Sequence, residues 1–422
     1  MKNRHNNVCK GAVSLFLFVM VLGGCAETPQ RQIRVWTDVP EVLDYAILFN
    51  EQSEAFDIEV EARENLLDAL QSEPEAPDLL IGRYLNQAAG DSVFRDVGAV
   101  VSQAGGSQQF YPEFLALGRF DDAQRLLPVS FELSAVVFAD AIDPEPDFRL
   151  SLELEAIREA AAAYNVAGPA GSERMGYSPL WHDEFARVLL EAHEVSFRRG
   201  AGGGTIWSAA PLREALSFAG SWVSDLNDGP DRSDAFQERY LTLPGVDLVK
   251  DGRVGFAFVP SSELLQSGFA EPGVYDSRWV AHNGSIAVRD TVIMAGIPRR
   301  ADNRNGAEAF LRWLVDRETQ RELLEGATRS PRFSAGILGG FSSLIRVNER
   351  DMLQIYPDVL GRVPPASVLR WPPRLPQMWP AMRDEAILPW VQEQIRAGDY
   401  ERSPEASIEG WLRRQEVPNS PN

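Results

Sequence analysis

Between Ile33 and Gly82 the apolar residues switch back and forth between the two-residue period of a strand and the 3.6-residue period of a helix. Ile33-Arg34-Val35-Trp36 alternates. Asp38 then stands where a helix N-cap belongs, Pro40 falls in a first turn, and Val42, Leu43, Ala46 and Ile47 form one apolar face. Ile58-Glu59-Val60-Glu61-Ala62 alternates again, and Leu66, Leu67 and Leu70 make a short helical stripe. Asp78-Leu79-Leu80-Ile81 closes the series as an apolar run ending at Gly82, as a strand buried on both faces would. Strand, helix, strand, helix, strand in so short a stretch predicts a parallel sheet with helical crossovers.

Later segments repeat these units. Ser134–Phe138, Val254–Val259, Ser285–Val288 and Thr291–Ala295 read as strands. Residues 151–163 are rich in Ala, Leu and Glu and read as helix, as do Ala381–Ile395 and the stripe Ala307, Phe310, Leu311, Leu314. Asp143–Asp147 is a stiff, proline-bearing breaker. Gly200–Gly204 is a glycine-rich loop, and without the Lys-Ser/Thr of a phosphate loop it does not read as a nucleotide site. The proline-rich stretch 357–380 cannot be one regular element, and the chain after Arg414 reads as a loose tail. At roughly 100–200 residues per domain, 422 residues suit two or three domains or one large α/β unit.

The N-terminus reads as an address. Lys2, Arg4 and Lys10 precede an apolar run from Ala12 to Leu22. That run is too short to span a bilayer, which takes about 20 residues, and has the length of a signal-peptide core. It ends in Leu22-Gly23-Gly24-Cys25, which resembles a bacterial lipobox; the resemblance implies cleavage before Cys25 and acylation of its thiol, with residues 25–32 as a tether. Two or more acyl chains anchor a protein stably where one binds only marginally. The other cysteine, Cys9, would leave with the leader, so neither a disulfide framework nor a cysteine-based zinc site can form. A net charge of −20 repels phosphate backbones, which excludes nucleic acid as an expected partner.

Five stretches after this lipobox, taken in order, are similar to the extracellular solute-binding proteins of family 1, the sugar-type receptors of ABC importers. They are Arg34–Asp38, Ala76–Ile81, Leu127–Glu132, the helix pair over 306–324 with Ala307, Phe310, Trp313 and Gln320, and Pro373-Arg374-Leu375-Pro376-Gln377-Met378-Trp379. The resemblance implies an α/β chain with the two-lobed periplasmic-binding-protein type II fold, mixed and mainly parallel sheets, and an interlobe cleft. The expected division is residues 1–24 as leader, 33–140 with 285–330 as one lobe, 141–284 with 331–415 as the other, and 416–422 as tail. The partners it implies are a small solute, a sugar in the first instance, the ABC permease subunits, and the membrane through the lipid anchor. No cofactor and no metal are expected.

By the same resemblance, cleft positions lie just after strand ends. In the first lobe these are Asp38, Glu41, Arg83, Tyr84, Asn86 and Glu132; in the second they are Trp181, His182, Ser261 and Trp379. Carboxylates, amides and guanidinium groups beside aromatic rings suit a polyol, which offers hydroxyls and an apolar C–H face. Structural alternatives stand beside these: Asp38 as a helix cap, and Arg83 and Glu132 paired with each other or with water, while Trp181 and Trp379 follow turn-like segments that suit exposure in the cleft. His182 and His193 are eleven apart on one helix face with Glu194 near, and a solvated face is weighed there against a metal site. A two-carboxylate hydrolase and a sensory or adhesive lipoprotein of the same fold are the competing functions. The sequence carries neither G-x-S-x-G nor H-E-x-x-H.

Overall fold

The computed structural model describes residues 31–87, 93–142, 150–168, 171–199, 205–330, 333–376 and 378–416. The leader with Cys25, the breaker at 143–147, the loop at 200–204 and residues 417–422 lie outside these. The opening alternation folds as β1 (Arg31–Thr37), α1 (Val42–Gln52), β2 (Phe56–Ala62), α2 (Leu66–Ser72) and β3 (Leu79–Arg83). β1 pairs in parallel with β2 (Val35 opposite Val60) and with β3 (Val35 opposite Leu79). Parallel strands are covered on both faces, and β3 accordingly buries Leu79, Leu80 and Ile81 completely. The first strand takes in Arg31 and Gln32, so the expected tether is shorter than residues 25–32.

β4 (Leu127–Phe131) belongs to this same sheet, but β5 (Ser134–Ala139) belongs to a second one. The chain therefore passes between lobes at Glu132–Leu133, ahead of the expected boundary at Asp140. Between Leu127 and Phe138 no glycine, asparagine or aspartate shows the division, because the chain crosses in extended form. The second lobe then adds β6 (Ser151–Glu153), α3 (Leu154–Tyr164), α4 (Asp183–Ala192), β7 (Phe256–Pro260), α5 (Ser261–Ser267), β8 (Tyr275–His282) and β9 (Ser285–Ala287). Val288–Val292 leads back to the first sheet, which gains β10 (Ile293–Gly296), α6 (Arg304–Leu314), α7 (Arg317–Arg329) and β11 (Phe341–Ser342). A third passage ends in β12 (Leu369–Arg370) of the second sheet, followed by α8 (Leu388–Ala397) and α9 (Glu405–Glu416).

The first sheet has the order β11-β4-β10-β3-β1-β2, and the second β7-β5-β8-β9-β12 with β6 beside β8. The sheets are mixed, but the second is antiparallel through its centre, where β5 lies between β7 and β8 and both run against it. Strands that leave the hinge sit next to strands that return to it, so the expected parallel majority is confined to the first half of the first lobe. Two of the crossings touch: Leu133 bridges Val288, and the Arg289 N–H donates to the Glu132 carbonyl at 3.0 Å. The cores of the two sheets also meet through aromatic rings, with Trp371 stacked on Phe114 at 4.6 Å and Phe341 between Phe131 (5.6 Å) and Trp279 (5.7 Å). Among the described residues, no helix is long and apolar enough to cross a membrane.

Candidate functional site: the junction between the lobes

The ends of β1 and β3 project the first-lobe residues toward the junction. α1 begins at Val42, beyond the reach of Asp38 as a cap. Asp38 Oδ1 instead accepts the Arg83 N–H at 3.0 Å, and the Arg83 guanidinium donates to the Asp38 carbonyl at 3.0 Å. This tie holds two strand ends in register, and burial raises the Asp38 carboxyl above its ordinary range. Glu41 Oε1 accepts from Ser334 Oγ at 3.2 Å, while its Oε2 is buried without a partner among the described residues. Asn86 is buried, and neither atom of its amide has a partner among the described residues.

At the hinge, Glu132 Oε2 accepts from Thr291 Oγ1 at 3.2 Å. Arg289 extends from the returning crossing to Ser134 Oγ at 3.0 Å and to both carboxylate oxygens of Glu184 on α4. Ser261 is fully buried and fastens α5 to the first crossing: its hydroxyl accepts the Leu133 N–H at 3.1 Å, and its own N–H donates to the Leu133 carbonyl at 2.8 Å. Its group is therefore turned into the hinge rather than the gap. Trp181 lies in the second-lobe core, where it stacks on Phe236 at 5.3 Å and donates its indole N–H to the Ser233 carbonyl. The preceding turn segment contains no feature that separates an exposed Trp from a packed one.

His182 and His193 occupy opposite ends of α4, as N-cap and C-cap. Eleven residues at 1.5 Å each put them about 16 Å apart along the axis, so a shared face does not make a shared metal site. His193 packs on His282 instead, with ring centroids 4.2 Å apart.

A polar cluster joins Tyr84 and Trp379 through two residues that the sequence reading passed over. Arg383 donates to the Tyr84 hydroxyl at 3.0 Å and to both Asp290 carboxylate oxygens at 2.9 and 2.7 Å. The Trp379 indole N–H donates to Asp290 Oδ2 at 2.6 Å, and the Trp379 backbone N–H donates to Gln87 Oε1 at 3.2 Å. First lobe, hinge and second lobe thus share one network. Burial, reinforced by the Asp290 charge, pushes the Tyr84 hydroxyl up to about 12, which keeps it neutral. Arg383 opens a π turn over Arg383–Ile387, a local widening of the helix that carries its guanidinium to the hinge. Asp290 falls between Ser285–Val288 and Thr291–Ala295, which read only as strands, and Arg383 lies in a stretch that reads only as helix; nothing in either marks the other as a partner. Asp290 N–H in turn donates to Glu191 Oε1 on α4 at 3.1 Å. Beside this network lies a cavity of about 320 Å³, walled by Phe197, Trp371 and Trp379 with Glu191 and Arg187 among its polar lining.

No protein-family model and no curated protein matches the sequence. Solved structures do match in shape. CpMnBP1 with bound mannotriose superimposes with a TM-score of 0.67 at 12% identity, over 92% of this chain and 100% of that one. The fold is that of the ABC-transporter solute-binding proteins. Lmo0181 from Listeria monocytogenes, an ABC substrate-binding protein in complex with cycloalternan, gives a TM-score of 0.63 at 14% identity over 91% of this chain and 98% of its own. The galacto-N-biose/lacto-N-biose I-binding protein of Bifidobacterium longum gives 0.62 at 14% identity over 91% and 97%. In such a fold, the junction described above separates the two lobes.

Proposed function

We propose that the chain is a lipid-anchored, extracytoplasmic receptor that captures a small carbohydrate between its lobes and delivers it to the permease subunits of an ABC importer. The supporting observation is the interlobe network of Tyr84, Arg383, Asp290 and Trp379 beside an aromatic-walled cavity. Planar fork donors, carboxylates and rings meet there at the point where two α/β lobes are joined by crossing chain segments. The structural neighbours named above hold mannotriose, cycloalternan and lacto-N-biose, and all of these are saccharides. In this reading Tyr84 and Trp379 face the solute from the two lobes, Glu41, Arg83, Asn86 and Glu132 supply polar groups along the first-lobe rim, and His182 marks the second-lobe rim. No bond in the solute is made or broken, and binding acts through its preference for the closed arrangement.

The test is a thermal-shift screen of the mature chain over neutral, acidic and amino sugars. Ligand at 100 times its dissociation constant adds about 2.7 kcal/mol of stability. A sugar that raises the melting temperature supports the reading; a complete sugar panel without effect overturns it. For the anchor, a radiolabelled fatty acid should enter the wild-type chain and not the Cys25→Ser variant.

A further inference from the structure

We propose that the first lobe carries a second binding site, on the side away from the hinge, and that it takes a phosphate group. The site is a cavity of about 250 Å³. Its walls come from the end of a short helix (Gly98–Gln103), the join between α6 and α7, and the segment after β11. Arg312, Arg317 and Arg346 line it against one acid, Asp316. In a chain with 61 acidic and 41 basic side chains, three guanidinium groups around one hollow invert the general balance. α7 begins in this wall, and the positive end of its dipole adds to the same field.

The lining keeps donors in reserve. Arg346 is exposed and has neither a hydrogen bond nor an ion pair among the described residues. Arg317 gives Nε and Nη2 to Asp351, both at 2.8 Å, and keeps Nη1. Arg312 stands 3.7 Å from Glu308, beyond hydrogen-bond length, and Glu308 is already held by Arg304 at 2.6 Å. Gln103 and Gln109 add two side-chain amides without a partner among the described residues. Asp316 is engaged as the cap of α7, where its Oδ1 accepts the Thr319 N–H at 3.0 Å. A carboxylate has two oxygens, which one guanidinium fork satisfies; a phosphate has more and takes donors from several directions. Donors arriving from separate walls therefore fit a phosphate better than a carboxylate. Leu344 and Val347 supply apolar surface for the carbon side of an ester.

Its place in the fold points to where such a phosphate comes from. β11 runs against β4, with Phe341 opposite Phe131, and the Ser343 N–H donates to the Val129 carbonyl at 2.9 Å. The chain into Leu344 and Val347 thus leads away from Glu132 and the hinge. β4 and β3 both run against β10, and β3 lies parallel to β1. The cavity therefore lies toward the end of the sheet at which β1 starts, four strand spacings or about 19 Å across from β1. Cys25 precedes Arg31 by six positions, a reach of at most about 22 Å. With Cys25 acylated, as proposed above, this end of the first lobe faces the membrane surface, and phospholipid headgroups are the nearest phosphates. The source rests on that anchor; the binding of phosphate does not.

The experiment is isothermal titration of the unacylated mature chain with inorganic phosphate, with glycerophosphoethanolamine, and with acetate at matched ionic strength. Phosphate and its ester should bind at least about tenfold more tightly than acetate. Arg346→Gln and Arg312→Gln, neither at a buried position, should each weaken phosphate binding about tenfold. Arg299→Gln, an exposed arginine just after β10 at the same end of the sheet but outside the cavity, should leave it unchanged. Co-sedimentation with vesicles of phosphatidylethanolamine and phosphatidylglycerol separates the sources. A net charge of −20 repels such vesicles as a whole. Retention that Arg346→Glu abolishes and Arg299→Gln spares therefore assigns a lipid headgroup; phosphate binding without retention assigns a free phosphate or phosphate ester. Acetate bound as tightly as phosphate, an equal loss in Arg299→Gln, or no binding in either assay overturns the inference. The sugar screen is read separately: a chain that binds sugar and no phosphate keeps the receptor reading and loses this site, and a chain that binds phosphate and no sugar does the reverse.

Discussion

Arg383 is the residue on which most of the junction depends. It is 4% exposed, and its guanidinium serves Asp290, Asp384 and Tyr84 at once. Asp290 is 5% exposed, so removing Arg383 would leave a buried carboxylate whose side-chain partner among the described residues is the Trp379 indole N–H. Breaking one side of a buried ion pair costs about 3–5 kcal/mol. Arg383→Met, which keeps the length of the stem, should lower urea-unfolding stability by that order, and the double variant Arg383→Met/Asp290→Asn should recover part of the loss. Equal loss in the single and double variants would show that the pair is not the source. The same residues mark where sequence reading stops. Tyr84 and Trp379 stand after strand- and turn-like segments and could be picked as candidates from the resemblance. Asp290, Arg383 and Glu191 could not, because their roles arise from pairings 93 and 99 residues away. Ser261 and Trp181 were legible as positions after strand ends, but only packing decides which way such a side chain turns.

At the scale of elements, the periodic segments were readable and their ends were less so. α6 follows the apolar stripe of Ala307, Phe310, Leu311 and Leu314, α7 buries Leu323 and Leu324, and the structure supplies caps at both starts: Asn303 accepts from the Gly306 N–H and Asp316 from the Thr319 N–H. α9 is not evident in the sequence, since Glu405–Glu416 is polar apart from Ala406, Ile408, Trp411, Leu412 and a helix-weakening Gly410; Trp411 is nonetheless buried and donates to Glu385 at 2.8 Å. α4 carries a competition that can be measured. His193 is its C-cap, where the helix dipole favours a cation. Burial, His282 and Arg370 oppose this and bring the imidazole down to about 4 from 6.5. Between those two values the unfolded chain holds more proton on this group than the folded one. Its contribution is therefore intact above pH 6.5 and is lost as pH falls toward 4, by an amount on the order of 2 kcal/mol. His193→Gln should flatten the acid limb of a stability-against-pH curve. An acid limb as steep as that of wild type would place the proton uptake elsewhere.

For the whole molecule, the two-lobed plan follows from short alternating units in the sequence, whereas the position of the crossings does not. An extended chain can leave one sheet and enter another without a turn, as Glu132–Leu133 does. The same plan limits how the lobes move. Two of the crossings are paired at Leu133 and Val288 and buttressed by Ser261, so the hinge resists shear and permits bending. What holds the gap shut is a small set of interlobe bonds, including Tyr84 to Arg383 and Gln87 to Trp379. Each such bond is worth a net of about 0.5–1.5 kcal/mol, so losing one or two shifts a closed-to-open ratio by up to about a hundredfold. Tyr84→Phe/Gln87→Ala should therefore scatter X-rays as a more extended particle than wild type when free of ligand. A solute that binds only the closed form should compact it again, since at 100 times its dissociation constant it favours that form by about 2.7 kcal/mol, the same order as the interlobe bonds removed. Identical ligand-free scattering profiles for variant and wild type would mean that the lobes are held by their packed aromatic hinge alone, and that Tyr84 and Trp379 are placed for the solute and not for the closure.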